Sequence, residues 1–151
     1  MSGVLIRQAS LKDVGQVASL FDAYRQFYEQ TPDIELATQF IGERMAKQES
    51  VILVAESDGG IVGFCQLYPT FCSVEAAKVA VLYDLFVAQS ARKMGLGAAL
   101  MLEVQKYAKQ NGFARLDLST AKTNVNAQAL YENLGWTRDE RFYYYSLAVN
   151  G

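Results

Sequence analysis

From Val79 to Met101 the chain reads VAVLYDLFVAQSARKMGLGAALM, and the rest of the sequence has to be built around that stretch. Val79, Val81, Leu82, Leu85, Phe86 and Val87 make its first half apolar on both faces, which predicts a central strand covered from two sides. Leu96, Leu100, Val104, Tyr107 and Ala108 then recur at helical spacing, predicting a helix that runs through Asn111. Between them stands Arg92-Lys93-Met94-Gly95-Leu96-Gly97, a basic, glycine-punctuated turn at the helix N-terminus. Glycine allows the backbone to come close to a ligand, and the first N–H groups of a helix carry the positive end of its dipole. With Arg92 and Lys93 adding charge, the turn suits a pyrophosphate.

The common phosphate loops do not fit. A Rossmann fingerprint needs one more glycine, and an acidic residue after a second strand at the proper distance. A P-loop needs Gly-Lys-Ser/Thr, which is absent from the sequence. Histidine is absent altogether, which excludes Ser-His-Asp and Cys-His hydrolases, HExxH metal sites and imidazole proton shuttles. No metal site is expected. Acid–base chemistry has to run through carboxylates, tyrosines, lysines, cysteines or water.

At 151 residues, 51% of them hydrophobic and 20% charged, the chain suits one globular domain over residues 1–151. Its formal net charge of -2 disfavours nucleic acid as a partner. Met1 to Ser10 has no long apolar region, and no run approaches the roughly 20 apolar residues of a membrane helix, so a cytoplasmic protein with no membrane partner is expected. Cys65 and Cys72 form no CxxC pair and imply no disulfide framework. A homodimer is left open.

The element order is then read from period and punctuation. Val4 to Gln8 is a first strand; Ser10 caps a helix, with Asp13 completing a capping box. Val14, Val17, Phe21, Tyr24 and Tyr28 line one face of that helix. Pro32 in the first turn opens a second helix to about Gln48, striped by Ile34, Ala37, Ile41 and Met45. Val51 to Ala55 is a strand, Asp58-Gly59-Gly60 a turn, and Ile61 to Tyr68 the returning strand. A polar loop from Ser73 to Lys78 leads into the central strand. Asn111-Gly112 stops the long helix, and Arg115 to Ser119 is the next strand. A short helix from about Asn126 to Leu134 ends at Gly135; Arg141 to Val149 reads as a final aromatic strand, with a short one open at Trp136 to Arg138. The sum is an α/β domain with a mixed sheet.

Two motifs carry a resemblance. Arg92-x-x-Gly95-x-Gly97 after a central strand resembles the acyl-coenzyme A loop of the GNAT superfamily of N-acetyltransferases. Asn124-x-x-Ala127-x-x-Leu130-Tyr131-Glu132-x-x-Gly135-Trp136 resembles the second signature of that superfamily, with every anchor position filled. The resemblance covers roughly Ile61 to Ser146, and residues 1–60 match in element order. It implies a single-domain GNAT-like fold: a mixed, mostly antiparallel sheet with a splayed central parallel pair, flanked by helices.

It also implies a chemistry, with acetyl-CoA as donor and no metal. The acetyl group would pass directly to a primary amine within a ternary complex. Backbone groups of Leu85, Phe86 and Val87 would bind the pantetheine arm and polarise the thioester. Arg92, Lys93, Gly95, Leu96, Gly97 and Ala98 would hold the pyrophosphate, with Met94 in the same loop. Asn124 would hydrogen-bond the pantetheine arm, with Ala127 beside it, and Tyr131 would protonate the leaving thiolate. An alkylammonium, with pKa near 10.4, must lose a proton before attack. Asp84, a carboxylate inside the most apolar strand, is the candidate base; its alternatives are an acceptor anchor and a structural ion-pair partner. Tyr83, on the other side of that strand, competes as a site residue.

The acceptor side is expected from the first two helices, with Tyr24, Tyr28, Glu29 and Asp33 as candidates. From Leu20 to Glu35 four acidic residues face one basic, 1 − 4 = −3, which leans toward a polyamine or other small cationic amine. Neither cysteine has an evident base partner, so an acyl-enzyme is disfavoured. The rivals are a non-catalytic acyl-CoA-binding sensor or interaction module, and a generic nucleotide binder.

Overall fold

Ile52 and Val54 leave their strand on one side, Leu53 and Ala55 on the other, and all four are buried, so this strand must be covered twice. In the computed structural model, which describes residues 3–150, that strand is β2 (Val51–Ser57), second of five in one mixed sheet. β1 (Leu5–Gln8), β2, β3 (Gly60–Cys72) and β4 (Ala77–Val87) pair antiparallel in chain order, and β5 (Arg115–Asp117) joins β4 in parallel. α1 (Val14–Phe27) and α2 (Ile34–Ala46) cover one face, where Val17, Phe21, Ala37 and Ile41 share a core with Ile52, Val54 and Phe64. α3 (Leu96–Gln110) covers the other, burying Leu96, Leu100, Met101, Val104 and Ala108. Gly63 lies beneath it, where a Cβ would stand 3.5 Å from Leu100 Cδ1.

The entry into α1 shows why Asp13 is needed. Its carboxylate accepts the backbone N–H of Ser10 at 2.7 Å, as the capping box predicts, and also takes two hydrogen bonds from the guanidinium of Arg7 on β1. Asp33 caps α2 by accepting the N–H of Leu36 at 3.1 Å, so the helix starts at Ile34 and Pro32 precedes the cap. The β3–β4 hairpin is longer than the sequence suggested. Thr70 to Cys72 pair with Ala77 to Val79, reducing the expected loop to a turn.

The described chain falls into two compact units, divided between Ser119 and Thr120. In the second, α4 (Val125–Asn133) begins at the cap Asn124 and stops at Gly135, whose φ of +95° is a left-handed position that suits glycine. Arg141 to Val149, expected as a strand, and Trp136 to Arg138, where a short one was left open, form no ladder within this unit, which offers them only a helix as neighbour. No helix among the described residues is long and apolar enough to cross a membrane.

Candidate active site

β4 pairs with β3 from end to end but with β5 only from Val79 to Val81. Past Val81 its far edge has no strand beside it among the described residues of this unit, so alternate peptide groups of Leu85, Phe86 and Val87 are not taken up by a second ladder. The strand also carries a bulge. Gln66 faces Asp84 while Leu67 faces Leu82, which leaves Tyr83 unpaired. Asp84 shares the face of Phe86 by alternation, the two lying opposite Gln66 and Phe64, and the extra residue then brings Leu82 opposite Leu67.

The glycine turn follows. After a short 3-10 turn at Gln89–Ala91, Lys93 and Gly95 both adopt positive φ, +68° and +76°, and α3 starts at Leu96. No side chain caps this helix. Its ladder opens with Ala99 N–H on Gly95 O at 3.0 Å, so the N–H groups of Leu96, Gly97 and Ala98 precede it and point outward from the helix end. Arg92 donates its Nε to the Val87 carbonyl at 3.0 Å, with its guanidinium 5.3 Å from the Phe86 ring centre. Arg92 therefore ties the turn to the strand end, a role in addition to the charge expected of it.

Asp84 is buried, 8% exposed, on the α1–α2 face. Gln66 donates Nε2 to its Oδ2 at 2.8 Å, and the Gln66 carbonyl oxygen accepts the Ser50 hydroxyl at 2.7 Å. Tyr24 hydrogen-bonds Asp84 and also donates to the Tyr83 carbonyl at 3.2 Å, the carbonyl of the bulged residue. Burial pushes the Asp84 pKa up, and the hydrogen bonds from Gln66 and Tyr24 pull it back only in part. Burial likewise pushes the Cys65 thiol and the Tyr68 hydroxyl up to about 12, with the Asp84 charge adding to both. Tyr83 turns outward, exposed, its ring 5.4 Å from that of Tyr68.

Next to this group lies an aromatic corner. Tyr24 packs edge-on against Tyr28, Phe64 and Phe86, and Phe27 against Tyr28. A cleft of about 440 Å³ runs alongside, lined by Leu20, Ala23, Phe27, Phe86, Gln89 and Arg92 among others. That volume suits a small ligand. Of the acidic candidates, Glu29 is exposed in a left-handed turn with φ +66°, whereas Asp33 is occupied as the cap of α2. Asp22, not singled out from the sequence, is buried and accepts the Asp33 N–H at 2.9 Å and Gln26 Nε2 at 3.1 Å, which fixes the α1–α2 connection.

In the second unit the Asn124–Trp136 motif folds as a self-contained device. Asn124 Oδ1 accepts the Ala127 N–H at 3.4 Å, and Trp136 N–H donates to the Tyr131 carbonyl at 3.0 Å, with the two rings 6.2 Å apart. Asn124 and Ala127 thus use these groups on each other as a helix cap. Sequence reasoning also missed Gln66, whose amide is fully buried. The available signal was a polar residue in Val62-Gly63-Phe64-Cys65-Gln66-Leu67, an otherwise apolar run. Among the described residues no cluster could hold a metal ion.

Residues 17–136 match the Acetyltransferase (GNAT) family. An uncharacterized N-acetyltransferase, YhfO of Bacillus subtilis, is 44% identical over 144 residues, covering 95% of this chain and 97% of the relative. An aminoglycoside N(6')-acetyltransferase type 1 of Serratia marcescens is 34% identical over 91 residues, 58% of this chain and 62% of that protein. A crystal structure of a probable acetyltransferase superimposes with a TM-score of 0.91 at 34% identity, covering 97% of this chain and 99% of the other.

Proposed function

Because the chain belongs to the GNAT family of acetyltransferases, we propose that it acetylates a small cationic primary amine by direct transfer from acetyl-CoA in a ternary complex, with Asp84 as proton acceptor. The N-acetyltransferase class is given by the family; the acceptor and the roles of individual residues are what is proposed. The family match runs through the boundary between the two units, which supports reading residues 1–151 as one catalytic domain.

The residues fit the donor. Three outward N–H groups at the start of α3, beside Lys93, are a cradle for its pyrophosphate, and the unladdered edge of Leu85 to Val87 suits its amide-bearing arm. Acetyl-CoA supplies the activated acetyl group as a thioester. The chain has to deprotonate the amine and return a proton to the thiol. The observation that carries the proposal is the buried Asp84, raised in pKa and hydrogen-bonded by Gln66 and Tyr24 next to an aromatic corner. A carboxylate raised by burial is a better base than one in water. Tyr131 is assigned the returning proton, since a phenol with pKa near 10 keeps its proton at neutral pH. Tyr131→Phe should then lower kcat with little change in acetyl-CoA affinity, whereas loss of stability alone would mark a packing role.

A cationic acceptor is supported by the aromatic faces of Tyr24 and Tyr28 with Glu29 at the end of α1. The Serratia relative is named for aminoglycosides, themselves polycationic amines, which agrees with that chemistry. Thiol release should be followed with spermidine, kanamycin and an uncharged aromatic amine. Turnover of a polycation, with KM raised by Glu29→Lys and by salt, is the expected result. Turnover of the neutral amine alone would overturn the acceptor assignment.

A further inference from the structure

We propose that Gln66 is the positioning residue for Asp84, holding its carboxylate in place by an amide that Ser50 locks from behind. This deepens the reading of Asp84 as proton acceptor and rests on it. Gln66 sits opposite Asp84 across the β3–β4 ladder, fully buried, with Nε2 2.8 Å from Oδ2 and Oε1 2.7 Å from the Ser50 hydroxyl.

The direction of the chain follows from donor chemistry. An ionised carboxylate only accepts, so the amide must present its N–H to Asp84. Its carbonyl oxygen then faces Ser50 and needs a donor, which the hydroxyl provides. Flipped, the amide would set its oxygen against the Asp84 carboxylate oxygen, whereas the Ser50 hydroxyl, donor and acceptor both, could bond either end of it. Asp84 therefore sets the orientation of Gln66, Ser50 anchors the far end of the amide, and Gln66 fixes one carboxylate oxygen. Tyr24 is a looser support, because its single proton is contested by Asp84 and by the Tyr83 carbonyl.

The titratable groups around Asp84 leave this control to the amide. Tyr24 faces it from α1, Cys65 and Tyr68 lie near it on β3, and Tyr83 precedes it on β4. Cys65 and Tyr68, both pushed up to about 12, carry no charge at neutral pH. Arg44 and Glu49 act on Tyr68, two residues along β3 from Gln66. The groups acting on Asp84 are burial, Gln66 and Tyr24, with no cation among them.

The test is a carbon-13 titration of the Asp84 carboxyl in the whole chain, which needs no acceptor, paired with the pH profile of kcat on spermidine and kanamycin. Gln66→Met keeps the length of the side chain and removes the donor. A hydrogen bond to a charged group is worth about 1.5–3 kcal/mol, so the Asp84 midpoint should rise by roughly one pH unit or more. The rising limb of kcat should move with it, while KM for acetyl-CoA stays put. Ser50→Ala, at a half-buried position, should shift both the same way by less, and it serves if Gln66→Met does not fold. An Asp84 midpoint unmoved in a folded variant overturns the role of Gln66. Asp84→Asn separates the two ideas. If it abolishes the limb while the Gln66 and Ser50 variants leave the limb in place, Asp84 stands as base and the positioning role falls. If it leaves the limb unchanged, the base assignment falls and the positioning role with it.

Discussion

The protein buries two aspartates to almost the same extent, Asp13 at 6% exposure and Asp84 at 8%, and treats them in opposite ways. Asp13 meets a cation. The Arg7 guanidinium at 2.8 and 3.0 Å, which also bonds Glu56, holds its carboxyl down at about 2. Asp84 meets an amide and a phenol, neither charged, and burial pushes its carboxyl up. Depth alone therefore says little about what a buried acid is for. A paired one ties β1 to the start of α1; an unpaired one is left able to take a proton.

Asp84→Asn is the strongest way to break that contrast. It keeps the shape and removes the base, so kcat should drop roughly 10²–10⁴-fold, about 3–5 kcal/mol in the barrier, with acetyl-CoA affinity little changed. Activity near that of the parent chain would make Asp84 as structural as Asp13. Asp13→Ala should leave kcat alone and lower unfolding stability by about 2–4 kcal/mol, because it removes two hydrogen bonds of a half-buried guanidinium, leaving Arg7 only Glu56 as an acidic partner, and removes the capping bond to the Ser10 N–H. The acid side sharpens the same point. The Asp13 stabilisation is complete above its ordinary 3.8 and is lost as pH falls through about 2, so acid unfolding of Asp13→Ala should be shallower over that window.

The smallest expected effect runs the other way. A carboxyl raised by burial binds its proton more tightly in the folded chain, so its presence lowers stability as pH rises through the folded value. Asp84→Asn should therefore be stabilised relative to the parent at neutral pH and lose that advantage near pH 4, read from paired denaturant curves. An equal difference at both pH values would mean that the carboxyl is not raised.

The sequence made the stretch around β4 legible because three signals meet there: a two-faced apolar run, a change of hydrophobic period, and glycines between. The left-handed Gly95 and the uncapped start of α3 are what those glycines were for. Asp84 was visible as a charge in an apolar strand, but its partner was not, since an amide in a strand looks the same on either face. The bulge at Tyr83 was equally hidden, because in a run apolar on both sides a slip of one residue leaves no break in the pattern. Asp33 carries two readings for a related reason: an N-cap, which it is, and an acceptor ligand ask for the same residue. Arg141 to Val149 has the composition of a strand, but strand formation depends on a partner, and composition does not supply one.

Cys65, fully buried and with its thiol pushed up to about 12, has a practical meaning for anyone assaying the enzyme. Alkylating and disulfide reagents consume thiolate, so this sulfur is silent toward them while the chain stays folded. With Cys72 the only other cysteine, the native protein contributes at most one equivalent to any colorimetric count of released coenzyme A. A second protein equivalent, counted with acetyl-CoA left out, would report unfolding of the sheet.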